Sequence, residues 1–101
     1  KGINSYVGIV SKDGSIAKVK NADLEEVAIG FSSYKKKSAY NFGVLILEDI
    51  IIKNNYVKYL TDKDSVIKFN GDNVGVKSDK IMQIIYNKNL NILKNLKATQ
   101  G

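Results

Sequence analysis

The stretch 55–86 constrains the fold most strongly, because short apolar runs alternate in it with turn residues. Asn70-Gly71 lies between two of these runs, and Asn-Gly favours a tight hairpin because both positions accept a positive φ. Connections this short are typical of antiparallel neighbours, so we expect an antiparallel meander. The predicted strands are 56–61, 65–69, 74–77 and 81–86.

The region before the meander begins with a second hairpin signal. Residues 6–11 and 16–20 are rich in β-branched residues and flank Asp13-Gly14, a turn dipeptide. The sequence therefore predicts that these two strands pair with each other.

A helix is predicted over 23–31. Asp23 is a suitable N-cap, and Glu26 follows three residues later, as in a capping box. Gly30 weakens the helix, which indicates close packing at that turn. The apolar positions fall at helical spacing and would face the sheet: Leu24, Val27, Ala28 and Phe31.

The remaining segments complete an α+β pattern. A strand is predicted over 40–47, continued by 50–53 after Glu48-Asp49, and a final helix over 90–99 is capped by residues 87–89. A chain of 101 residues is one domain. The simplest arrangement is a central antiparallel sheet of six or seven strands flanked by helices.

Composition excludes several classes of site. The chain has no cysteine and no histidine, so disulfides, thiolate metal sites and histidine-based catalysis are excluded. Asp62 and Asp64 could ligate a cation, but no calcium-loop glutamate follows, and a turn using Asx side chains is favoured. Gly71 and Gly75 lack the phosphate-loop pattern. We expect a binding module without enzymatic activity, cofactor or metal.

The net charge of +6 invites a nucleic-acid or anionic-lipid interpretation. The lysines are scattered, however, and the only run is 35–37, so a solvated or protein-facing basic surface is favoured. No apolar run is long enough to span a membrane, and no signal peptide is visible.

Four segments follow one another along the chain: VGIVSKDGSIAKV (7–19), LEEVAIGF (24–31), SAYNFGVLIL (38–47) and the stretch 55–86. In this order they resemble profilin, the family of small actin-monomer-binding proteins. The resemblance implies a cytoplasmic, cytoskeletal monomer that binds monomeric actin and regulates filament assembly. The implied actin-binding positions are Lys58, Lys68, Asn73, Asn91 and Lys94.

Departures from profilin and two alternatives remain. The aromatics of the family's proline-rich-peptide groove are missing, and the chain has no tryptophan, so that groove is expected to be reduced or absent. One alternative is a roadblock-type dimeric scaffold for a small GTPase, whose strand-strand-helix-strand layout suits the start of the chain. The other is a basic phosphoinositide-binding module; nucleic acid is not expected as a partner.

Overall fold

A computed structural model describes residues 5–37 and 39–99 of the chain. The described residues form eight strands in two sheets and two short helices, so the protein is mostly β and the expected α+β, profilin-like sheet flanked by helices is wrong. The elements are β1 (Ser5–Lys12), β2 (Ile16–Glu25), β3 (Val27–Tyr34), β4 (Val44–Lys53), β5 (Val57–Thr61), β6 (Val66–Phe69), β7 (Asp72–Val74), β8 (Val76–Lys77), α1 (Ile81–Tyr86) and α2 (Leu90–Thr99).

The strands form two sheets, and from β1 to β6 consecutive strands lie alternately in one sheet and the other. The first sheet has the order β1-β3-β5-β8 and the second sheet has the order β2-β4-β6-β7. Neighbouring strands are parallel, with β6 and β7 the one antiparallel pair among the described strands. Successive turns of the chain therefore stack as in a β-solenoid, in which each unit contacts its neighbours along one axis.

The predicted hairpin of residues 6–11 and 16–20 is wrong, although both segments are strands. Asp13 and Gly14 do adopt positive φ, 53° and 83°. Their turn, however, leads from β1 in the first sheet to β2 in the second, so the two strands are not hydrogen-bonded to each other. Each strand instead pairs with one that lies a full turn of the chain later.

Part of the predicted meander is confirmed. Asn70 and Gly71 have φ of 51° and 90° and close the antiparallel hairpin of β6 and β7. By contrast, the turn at residues 62–65 carries the chain from β5 to β6, which lie in different sheets. The short connections are compatible with parallel pairing because the link between paired strands includes a whole strand of the other sheet.

The predicted helix over 23–31 is wrong. Asp23 belongs to β2, Glu26 has a φ of 57°, and β3 begins at Val27. All eight residues of β3 are buried. A strand covered on both faces explains this better than a helix, which would bury one stripe.

The two faces of β3 belong to two hydrophobic cores. Phe31 packs between the sheets with Leu45, Leu47 and Ile67. Ala28 instead belongs to a cluster that includes both helices, with Leu60, Ile81, Ile84 and Leu93. The helices therefore cover the first sheet from outside.

Helix α1 replaces the strand predicted over 81–86, because Ile81 and Ile84 lie on one helical face and reach the uncovered side of the first sheet. The Tyr6 hydroxyl donates a hydrogen bond of 2.6 Å to the Ile84 carbonyl and ties this helix to β1. The prediction of helix α2 is confirmed, and the Asn89 side chain accepts a hydrogen bond from the Ile92 N–H at its start. Neither helix is long and apolar enough to cross a membrane.

Left-handed residues bend the strands of the second sheet at matching positions. Asn21 in β2 and Asp49 in β4 have φ of 60° and 53°, and they lie side by side between the registered pairs Lys20–Glu48 and Ala22–Ile50. Asn and Asp tolerate this conformation because their short side chains can hydrogen-bond locally. Each bend shifts the in-out alternation by one residue.

Candidate binding surface

The outer face of the second sheet is open and mixes aliphatic with basic side chains. We define the outer face as the outward-pointing residues of this sheet before its bend. Its most exposed large apolar side chain is Ile16, which is 71% exposed. The outer face consists of Ile16, Lys18, Val44, Ile46, Val66, Lys68 and Asn73.

Strand register orders these side chains into two rows. Ile16, Val44 and Val66 are registered partners and form an aliphatic row. Lys18 and Lys68 flank Ile46 in the adjacent row. Because neighbouring strands lie about 4.8 Å apart, the two lysines leave the backbone roughly 10 Å from each other.

The charge of the outer face comes from these two lysines. Neither Lys18 nor Lys68 has an ion-pair partner among the described residues. At its border, Lys20 and Glu48 form an ion pair of 3.8 Å, and both side chains are more than half exposed. The two opposite charges of that pair cancel, and the pair contributes little to stability. The net charge of the outer face is therefore that of Lys18 and Lys68, and the face is basic.

Two of the five predicted actin-binding residues lie on the outer face. Lys68 and Asn73 are directly opposite each other in the β6–β7 hairpin. Asn91 and Lys94 instead lie on α2, and the Lys94 Nζ atom is 6.0 Å from the centroid of the Tyr56 ring. These helix residues are on the other side of the molecule, because α2 packs against the first sheet.

The fifth predicted residue, Lys58, is an exposed side chain of β5 in the first sheet. It follows Val57, which is buried in the cluster beneath the helices. The structure therefore does not bring the five residues together in one face, since the predicted sheet that would have joined them is absent.

The lysine run 35–37 does not form a shared anion site. The Lys35 Nζ atom lies 2.6 Å from an Asp64 carboxylate oxygen. Lys36 lies over the Tyr86 ring and Lys37 over the Tyr40 ring, at 5.5 Å and 6.0 Å from the ring centroids. The three ammonium groups therefore have separate partners.

The acidic pair at Asp62 and Asp64 forms a turn, as predicted. The Asp62 carboxylate accepts hydrogen bonds from the backbone N–H groups of Lys35, Asp64 and Ser65. Burial alone would raise the pKa of Asp62, but these donors outweigh it and hold the pKa below its usual value. No group of three or more potential metal ligands occurs among the described residues.

A pair of tyrosines joins α1 to β3. The hydroxyl groups of Tyr34 and Tyr86 are 3.0 Å apart. Burial raises the pKa of Tyr34, whereas the hydrogen bond between the two hydroxyl groups and the nearby Lys12 lower the pKa of Tyr86. This pair attaches the helix to the sheet, so we assign it a structural role.

The sequence interpretation missed the aliphatic part of the outer face. The alternation of Ile16 and Lys18 with Ala17 and Val19 was visible, but β2 was assigned to the wrong neighbour. The correct register is what places Ile46 between two lysines.

Comparisons with protein-family models, with curated proteins and with solved structures gave no match. They neither support nor oppose the resemblance to profilin, and the function must be argued from the surface itself.

Proposed function

We propose that this protein is a non-catalytic binding module whose outer face binds an acidic protein surface. The observation that carries the proposal is the basic row of Lys18 and Lys68 beside an exposed aliphatic row. Unpaired lysines complement carboxylates and speed association, while aliphatic side chains supply contact area.

The aliphatic row supplies the larger part of the expected affinity. Ile16 is 71% exposed, and covering it contributes about 1–2 kcal/mol. An exposed pair with one lysine contributes less, about 0–1 kcal/mol, because water screens it. The lysines therefore decide which partner surface is accepted, since an opposing basic surface is repelled.

Monomeric actin is the specific partner implied by the sequence resemblance, and we retain it as the first partner to test. The order of the sequence motifs supports this partner, whereas the sheet does not have the profilin arrangement. The roadblock-type alternative depended on a helix over residues 23–31. These residues instead form the end of β2 and the first part of β3. The phosphoinositide alternative is weakened by the separate partners of the lysine run.

Charge reversals on the two sides of the molecule test the proposal. Affinity for monomeric actin would be measured for the wild type, Lys68→Glu and Lys94→Glu by fluorescence anisotropy. We expect Lys68→Glu to weaken binding about tenfold, which is about 1.4 kcal/mol. We expect Lys94→Glu, the same charge change on α2, to leave affinity within about twofold.

Two results would contradict the proposal. Equal weakening by both variants would show that overall charge, rather than the outer face, controls binding. Absence of wild-type binding would remove actin as the partner, and the same variants would then be compared on partners recovered by affinity capture, where insensitivity to Lys68→Glu would exclude the outer face.

A further inference from the structure

The outer face extends past the start of β4 to an aromatic side chain. Phe42 lies two residues before Val44 and is 48% exposed. An added Cβ atom at Gly43 would be 2.7 Å from the buried Ser33 Oγ atom and closer still to the Ser11 carbonyl oxygen, so position 43 faces the interior. Because side chains alternate along an extended chain, Phe42 and Val44 both point outward.

The side chains of Phe42, Val44 and Ile46 form a continuous line, which we call the apolar ridge. Val44 and Ile46 are partly exposed and alternate with Leu45 and Leu47, which are buried. Successive outward side chains of a strand are about 7 Å apart, so the apolar ridge is roughly 13 Å long.

The two borders of the apolar ridge change character along its length. At Val44 the flanking residues are Ile16 and Val66, which are aliphatic. At Ile46 the flanking residues are the two lysines of the outer face. An occupant that complements this surface is apolar along its centre and carries carboxylates on both borders at one end.

The apolar ridge offers an occupant side chains but no backbone hydrogen bonds. Residues 44–47 of β4 are paired with β2 on one side and with β6 on the other. An extended segment laid on this face would remove its own N–H and C=O groups from water without giving them partners, which is unfavourable. An α-helix satisfies these groups internally. The chain itself covers the outer side of the first sheet in this way, with α1 and α2.

The dimensions of a helix also match this surface. About nine helical residues, at 1.5 Å each, span the apolar ridge. A helix with its side chains is about 10–12 Å wide. Carboxylates on the two borders of its apolar stripe can therefore reach two lysines that leave the sheet roughly 10 Å apart.

We propose that the outer face binds an acidic amphipathic helix of its partner protein. The apolar stripe of that helix lies on the apolar ridge, and the carboxylates on its borders lie beside Lys18 and Lys68. This inference rests on the proposed function and specifies the partner element. It also makes Phe42 an anchor of the interface, since aromatic side chains contribute large contact areas.

Synthetic peptides test the helix directly. The probe is a fluorescein-labelled, side-chain-stapled peptide of about 15 residues, because an unstapled helix of that length is marginal in water. It carries leucines at i, i+3, i+4 and i+7 and glutamates on both borders of that stripe. A second stapled peptide has the same composition with the glutamates opposite the leucines. A third has no staple and a central proline, which prevents the helix.

Affinities for the three peptides would be measured by fluorescence anisotropy. We expect the wild type to bind the probe at least about tenfold more tightly than either control peptide. Phe42→Ala and Lys68→Glu should each weaken binding of the probe about tenfold.

Two variants on the other side of the molecule serve as matched controls. Val10 is an exposed apolar side chain of β1 in the first sheet, and Lys94 lies on α2. Val10→Ala and Lys94→Glu should leave the affinity for the probe within about twofold. Circular dichroism and the urea midpoint of each variant separate lost binding from lost folding.

Three results would overturn the inference: no binding of the probe, equal binding of the probe and the proline peptide, or unchanged affinity in Phe42→Ala. Equal binding of the helical and proline peptides, with loss in Lys68→Glu, would exclude the helix and leave the acidic-surface function standing. Insensitivity to Lys68→Glu with both actin and the peptides would instead remove the outer face as the binding site. Failure of the helix and failure of the proposed function are therefore distinguishable.

Discussion

Replacing Gly30 by alanine distinguishes the observed strand from the helix predicted for the same residues. Gly30 lies in β3, where an added Cβ atom would be 2.7 Å from the Lys58 carbonyl oxygen and 2.9 Å from the Ile52 Cδ1 atom. The carbonyl belongs to β5, which is hydrogen-bonded to β3 and cannot move away without loss of pairing. The added methyl group must therefore strain the packing.

The size of the effect follows from two opposing contributions. Overpacking of a tight core costs about 1–3 kcal/mol. Alanine also restricts the unfolded chain more than glycine does, and this effect stabilises the folded protein by about 0.4–1 kcal/mol. We expect Gly30→Ala to lower the free energy of unfolding by roughly 1–2 kcal/mol. In a helix over 23–31, the same change would raise it by about 1 kcal/mol, so the two structures differ in the sign of the effect.

Urea denaturation followed by circular dichroism measures this free energy. We expect the midpoint to fall by roughly 0.5–1 M with an unchanged slope. Ile52→Val removes the Cδ1 atom, and the double variant should lose less stability than the two single changes together, because the residues touch. A midpoint that rises in Gly30→Ala would refute the stacked strands at this position.

Three further substitutions test the buried polar contacts. Hydrogen bonds to the Asp62 carboxylate outweigh its burial and hold the folded pKa below the ordinary value of 3.8. They therefore stabilise the protein above that pH, and the contribution is lost as the pH falls through the folded pKa. Asp62→Asn should cost about 1–3 kcal/mol at neutral pH and much less in acid, and equal losses in urea midpoint at both pH values would contradict this. The Ser33 Oγ atom is buried without a hydrogen-bond partner among the described residues, whereas Ser32 donates to the Leu60 carbonyl at 2.9 Å. Ser33→Ala should therefore raise stability by about 1 kcal/mol and Ser32→Ala should lower it by about as much, and a loss in both would show that the Ser33 hydroxyl is satisfied.

The candidate surface could be predicted from sequence only where its residues are close along the chain. Lys68 and Asn73 flank Asn70-Gly71, so the hairpin signal predicted a turn between them, but the returning strand was predicted at 74–77 and the structure has it at Asp72–Val74. Lys18 and Ile46 belong to strands whose pairing is set by the path of the whole chain, and no local signal gives that register.

The sequence by itself determined the features that depend on a few neighbouring residues. These are the Asn70-Gly71 hairpin, the Asp62 turn, helix α2 and the extended character of most strand segments. In each, backbone preference and the nearest side chains supply the decisive interactions.

Only the tertiary structure decided which strands pair and which ambiguous segments become helix or strand. The apolar pattern of residues 27–31 fits one face of a helix and a buried strand equally well. The strand forms because β1 and β5 lie on either side and supply hydrogen bonds to both edges of β3. Residues 81–86 have strand composition, yet they become α1 because the outer side of the first sheet remains to be covered. The physical reason is the same in both cases: the partners that settle these segments lie a full turn or more away along the chain.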